Sequence, residues 1–266
     1  MTDAQIIIAD TVTKLGAEAA GSVVIAASHG GVYAGFEAAR AGVRGIILHD
    51  AGVGLDGAGI GSLAYLEEIG IAAATIDYQS ASIGNGESLA KNGVISFVND
   101  SAATVGCTPG QSAMACAEAM RNAPENAVDV PVYEEARFII RDSGNGPIVR
   151  GCDSVSLVRA EDEGAIVITA SHGELLATSP TWGNRPKVRA AVFNDAGSSL
   201  VTRLPDLDTR DIPAATVAAA SARIGDAKSS YEDGVLSHVN ATAAALGAKP
   251  GMTTIAFVDL IIEKTA

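Results

Sequence analysis

The sequence predicts an α/β fold: an internal duplication giving two homologous, mostly parallel α/β lobes related by a pseudo-twofold. Three observations carry this. The chain matches itself across its two halves, short aliphatic runs alternate with helical patterns inside each half, and the same polar clusters follow the same runs in both. The first copy is assigned to residues 1–130 and the second to 131–266, with the join at 122–136, where Pro124 and Pro131 punctuate the chain. Each copy is far longer than the roughly 20–45 residues of a solenoid repeat, so each is expected to hold its own core.

The blocks of the self-match keep their order. Val23-Val24-Ile25-Ala26-Ala27-Ser28-His29-Gly30-Gly31 lies over Ile166-Val167-Ile168-Thr169-Ala170-Ser171-His172-Gly173-Glu174. His49-Asp50-Ala51-Gly52 lies over Asn194-Asp195-Ala196-Gly197, and Ser80 to Asn85 over Ser221 to Asp226. Gly93 to Asn99 then matches Gly234 to Asn240, and Gly106, Pro109 and Gly110 recur as Gly247, Pro250 and Gly251.

Within the first copy, the apolar run 23–27 predicts a strand, 32–41 a helix, and 45–48 and 71–76 two further strands, the grammar of βαβ units. Val94, Phe97 and Val98 at helical spacing predict a long helix over 87–105 that Gly106 stops, with a counterpart over 229–246 stopped by Gly247. Further helices are expected over 111–120 and 253–264, with Pro109 and Pro250 in their first turns, where the missing N–H costs nothing.

Aromatic residues are only 4% while Gly reaches 29, so the cores must be aliphatic and the backbones closely packed. Lys and Arg number 18 against 31 Asp and Glu, a net charge of −13 that repels phosphate backbones and anionic membranes and excludes nucleic acid as a partner. No apolar run is long enough to cross a membrane. The first residues lack a basic start and a signal-like apolar stretch, and the three cysteines (Cys107, Cys116, Cys152) lack metal or disulfide spacing, so a cytoplasmic protein with free thiols is expected.

The repeated polar clusters each follow a strand-like run, which in a parallel sheet gathers them at the carboxyl edge, where ligands bind. Ser28, His29 and Asp50, with Ser171, His172 and Asp195, are the candidate catalytic residues, the repeated types being those of serine hydrolysis. Adjacent residues on a strand face opposite ways, so the serine of one copy is expected to meet the histidine of the other in a cleft between the repeats. Gly30, Gly52, Gly173 and Gly197 offer backbone N–H groups to a ligand, with Ser82, Asn85, Arg223 and Asp226 as further substrate-binding candidates. Arg223 replaces Ser82 in a shared loop and reads either as a carboxylate clamp or as a surface ion pair with Asp226. The Gly-dense loop 50–61 lacks the Lys-Ser/Thr ending of a P-loop and the spacing of a dinucleotide fingerprint. Trp182, alone of its kind, marks a loop read as a lid or an oligomer contact.

The expected function is a small-molecule hydrolase acting on a C–N (amide or cyclic amide) or ester bond of a small polar carboxylate-bearing substrate, without cofactor or metal. The alternatives are an isomerase or lyase moving a proton next to a carboxylate with His29 or His172 as base, and a non-catalytic small-ligand-binding protein. A homo-oligomer is expected.

Overall fold

The structure, a computed structural model, describes residues 4–125, 129–179, 182 and 185–265. Two compact units divide the chain: Met1–Gly52 with Gly57–Glu134 and Leu176–Thr178, and Val53–Asp56 with Glu135–Leu175 and Ser179–Ala266. Residues 126–128 of the expected join, and 180, 181, 183 and 184 of the expected Trp182 loop, lie outside the described residues.

Unit 1 is a five-stranded sheet in sequence order. Its strands are β1 (Ile6–Ala9), β2 (Val23–His29), β3 (Gly45–His49), β4 (Ala72–Ile76) and β5 (Ile95–Val98), the first four parallel and the last antiparallel. The helices α1 (Val32–Arg40), α2 (Gly61–Glu68) and α3 (Gly86–Asn92) connect β2 through β5, and α4 (Asp100–Thr104) and α5 (Ala113–Met120) follow. Strands β3 and β4 are buried end to end, as parallel strands covered on both faces must be. Alternation then assigns the layers: Val23, Ile25 and Ile47 join the core under α5, while Val24, Ile46 and Leu48 join the core on the opposite face.

Unit 2 is a six-stranded sheet. The strands β6 (Arg137–Arg141), β7 (Val149–Cys152), β8 (Ile166–His172), β9 (Ala190–Asn194), β10 (Ala214–Val217) and β11 (Leu236–Val239) lie side by side in that order, β7 to β10 parallel and the two edges antiparallel. Its helices are α6 (Arg203–Asp208), α7 (Ala227–Glu232), α8 (Ala241–Ala245) and α9 (Thr254–Thr265). The fully buried Asp162 anchors the first hairpin: its Oδ1 accepts from Arg137 Nη2 at 2.8 Å and Arg150 Nε at 3.0 Å, and its Oδ2 from the Arg159 N–H at 2.8 Å.

The long helices expected over 87–105 and 229–246 are each helix, strand, helix. Val94 and Phe97, two of the residues that suggested a helical stripe, are about 40% exposed beside and on the edge strand β5, and Ile95 is the residue turned inward. Asn99 then starts α4: its Oδ1 accepts the N–H groups of Ala102 and Ala73 at 2.9 Å, and its Nδ2 donates to the Ile71 carbonyl at 2.8 Å. Asn240 does the same with Ala243, Ala214 and Ile212. Pro109 and Pro250 stand in tight turns rather than first helical turns, because the chain first runs along the edge strand. Gly110 N–H donates to the Ile95 carbonyl and Gly251 N–H to the Leu236 carbonyl, each at 2.8 Å, and the helices begin only at Ala113 and Thr254. This cover occupies edge groups that would otherwise template pairing with another chain.

Among the described residues no helix is long and apolar enough to cross a membrane. Trp182 is 1% exposed and packs in the core of unit 2, edge-on to Phe193 with ring centroids 6.0 Å apart, so the side chain read as a lid or oligomer contact is a core residue.

Candidate functional site

Ser28 is the penultimate residue of β2. Its hydroxyl accepts the Val12 N–H at 3.0 Å and lies 3.5 Å from Thr11 Oγ1, fixing the short turn that follows β1. His29 faces the other way, and its Nδ1 accepts the Gly31 N–H at 3.1 Å. Burial, with His49 beside it, pushes its imidazole down to about 4, so it is neutral and weakly basic at physiological pH. Gly30 is required by close approach: a Cβ there would stand 2.6 Å from the Gly59 carbonyl oxygen and 2.9 Å from Thr75 Cγ2. Gly173 is confined in the same way by Thr216 Cγ2 at 2.8 Å.

His49 ends β3 and is fully enclosed. Its Nδ1 accepts the Ala51 N–H and its Nε2 donates to the Ala81 carbonyl, both at 3.1 Å, and burial pushes the ring down to about 4. Asn194, at the end of β9, makes the same pair of bonds: Oδ1 accepts the Ala196 N–H at 2.8 Å and Nδ2 donates to the Ala222 carbonyl at 3.1 Å. One acceptor and one donor about two ångströms apart are therefore what this position uses, and a proton is not. His49→Asn should lower stability by about 1 kcal/mol or less, whereas His49→Leu, which orphans a buried N–H and C=O, should lose about 2–4 kcal/mol. Urea unfolding of the two variants ranks them.

Asp50 and Asp195 close the next loop. Asp50 Oδ1 accepts the Gly52 and Tyr78 N–H groups at 3.0 Å, and Asp195 Oδ1 accepts those of Gly197 and Ala219 at 2.9 Å. Burial raises the Asp50 carboxyl against these bonds. Gly52 and Gly197 have φ of 70° and 75°, following Ala51 and Ala196 at 51° and 53°, the left-handed turn that aims both N–H groups back at the carboxylate. In the loops after β4 and β10, Ser82 N–H donates to Ser88 Oγ at 3.1 Å and Arg223 N–H to Ser229 Oγ at 3.0 Å. Asn85 and Asp226 cap α3 and α7 through the N–H groups of Ser88 and Ser229 at 2.9 Å. The Arg223 guanidinium, 39% exposed, is shared among Asp56 at 2.7 Å, Asp226 at 3.1 Å and Asp233 at 3.7 Å, the geometry of a surface ion cluster.

Unit 2 repeats the first contact, since Ser171 Oγ accepts the Val155 N–H at 2.8 Å. His172 is buried, and its carbonyl accepts from Arg203 Nε at 3.1 Å. The next residue but one has no polar counterpart in the first half, where Gly31 stands. Glu174 is 6% exposed at the carboxyl end of β8; burial pushes its carboxyl up to about 7, and the nearby Ser198 hydroxyl opposes that rise. Ser198 is half-buried between the exposed Gly197 and Ser199, and its Oγ also accepts the Leu200 N–H at 3.0 Å. A buried carboxyl with a raised pKa near a half-buried hydroxyl is the arrangement a general base and a nucleophile would need. Comparison of the two halves for shared residues passes over Glu174; its signal is a carboxylate at a strand end where the matched residue is glycine.

Among the described residues no group of three or more His, Cys, Asp or Glu side chains is placed to hold a metal ion. Compared with family models, curated proteins and solved structures, the chain finds no match.

Proposed function

We propose that this chain is a small-molecule hydrolase acting on a C–N or ester bond, with its chemistry at the carboxyl edge of the unit 2 sheet. The buried Glu174 carboxyl, raised to about 7 with the Ser198 hydroxyl nearby, carries the reading. In this mechanism the Glu174 carboxylate takes the Ser198 proton as Oγ attacks the substrate carbonyl carbon, and the protonated carboxyl then gives that proton to the leaving amine or alcohol. Water, deprotonated by the same carboxylate, cleaves the acyl-serine and frees the second product. Ser171 and His172 belong to this reading as the strand end that positions Glu174, and Asp195 and Gly197 as the turn that positions Ser198.

The duplication belongs to the same proposal. It is supported by side chains matched in sequence making matched bonds: Ser28 with Ser171, His49 with Asn194, Asp50 with Asp195, Asn99 with Asn240. Buried thiols without disulfides support a reducing, cytoplasmic setting. Exposed Val94, Phe97 and Met114 support self-association.

Proton transfer next to a carboxylate, with Glu174 acting directly on substrate, is the second reading, favoured by the same raised carboxyl. A panel of small amides, lactams, lactones and 2-substituted carboxylic acids separates the two. Ser198→Ala should abolish hydrolysis. Turnover that survives Ser198→Ala but not Glu174→Gln means proton transfer, and turnover that survives both overturns the site.

A further inference from the structure

Two arginines of unit 2 are stacked on its aromatic pair. Arg203 Cζ lies 5.5 Å from the Phe193 ring centroid and Arg185 Cζ 5.4 Å from that of Trp182. Arg203 is 4% exposed, and among the described residues its one side-chain hydrogen bond runs from Nε to the His172 carbonyl. Arg185 donates from Nε to the Val155 carbonyl at 3.3 Å and from Nη1 to the Trp182 carbonyl at 3.0 Å. No carboxylate among the described residues forms an ion pair with either guanidinium. Asp206 acts on Arg203 through space, and its Oδ2 is bonded to the Trp182 N–H at 2.6 Å.

Burying an arginine without a counter-ion is costly, and two such charges repel each other. Desolvation, then the Arg185 charge, pushes Arg203 down to about 10, and desolvation also lowers Arg185. The aromatic faces offset part of this cost, and among the described residues no acceptor meets the Nη donors of Arg203 or Nη2 of Arg185. A cavity of about 420 Å³ lined by Val158, Ala160, Glu163, Arg185 and Pro186 opens onto Arg185. The corresponding backbone position in unit 1, where Ser62 N–H donates to the Gly30 carbonyl as Arg203 N–H does to that of Gly173, carries no charge. We infer that the Arg185–Arg203 pair binds a small oxyanion, the carboxylate or phosphate group of a ligand. In a chain of net charge −13, the buried Arg203 guanidinium beside the half-buried Arg185 offers planar donor forks that can hold such a group. The inference is independent of the Glu174 chemistry, and its test reads binding rather than turnover.

Trp182 is the sole tryptophan, so its fluorescence reports on the pair directly. The protein in chloride-free buffer is titrated with inorganic phosphate and, separately, with succinate, at constant ionic strength, and melting temperatures are recorded alongside. At least one anion should change the fluorescence saturably and raise the melting temperature of the wild type. Arg203→Met and Arg185→Met should each weaken that binding by about tenfold or more, and Arg203→Met should melt no lower than the anion-free wild type, since it removes an uncompensated buried charge. Response to phosphate alone or succinate alone identifies the group within the class. The inference is overturned if neither anion has an effect beyond ionic strength, if both variants respond like the wild type, or if Arg203→Met fails to fold, which would make the cation a structural requirement.

Discussion

Glu174→Gln is expected to lower turnover about 10²–10⁴-fold while making the protein more stable above neutral pH. Both effects come from one carboxyl. Burial favours its neutral form, raising it from an ordinary 4.5 to about 7. Between those values the folded state binds a proton that the unfolded chain releases, so stability falls as pH rises from about 4.5 to 7 and stays low above. At pH 8 the ionised side chain costs about 3 kcal/mol, which Gln, neutral and nearly isosteric, recovers in large part. Activity runs the other way, because the base is the ionised form: wild-type rate should climb through pH 7 to a plateau. Denaturation at pH 5 and pH 8, together with a rate profile, checks both signs. Equal pH dependence of stability in the wild type and Glu174→Gln would contradict the placement of this carboxyl.

Asp162→Ala is the largest stability loss the fold implies, about 3–5 kcal/mol. The variant strands Arg150, whose side chain is 12% exposed, leaves Arg137, 14% exposed, with only the exposed Glu161 carboxylate at 2.8 Å, and orphans the Arg159 N–H. The lost Coulomb attraction is only part of the effect; the stranded Arg150 cation and the orphaned N–H supply the rest. A loss below about 1 kcal/mol in urea unfolding, the scale of a solvated surface pair, would mean that water reaches this cluster.

Aliphatic runs bounded by glycine and the order of the shared blocks make the sheets, their parallel strands and α1 readable, because buried parallel strands need little beyond continuous apolar residues. The edge strands are not readable in the same way. Val94, Phe97 and Val98 satisfy a helical period by spacing alone, and only the partner strand β4 decides that Ile95 turns inward. Polar residues have a similar limit. Side chains such as Ser28, Asp50 and Asn99 bond to backbone N–H groups far along the chain, partners that a one-dimensional reading does not display. Repetition therefore points first to residues that close loops in both units. Glu174, Arg185 and Arg203 are features of one half, and their environment is set by burial that composition cannot report.

A fluorophosphonate tests the proposed nucleophile without knowledge of the substrate, since an activated serine displaces its fluoride and retains the phosphonyl group. Peptide mass spectrometry after labelling should find the adduct on Ser198, formed at a rate that rises with pH through about 7 and falls sharply in Glu174→Gln. An adduct on Ser28 or Ser171 with Ser198 untouched, or labelling of Ser198 at a rate indifferent to both pH and Glu174→Gln, would contradict the account.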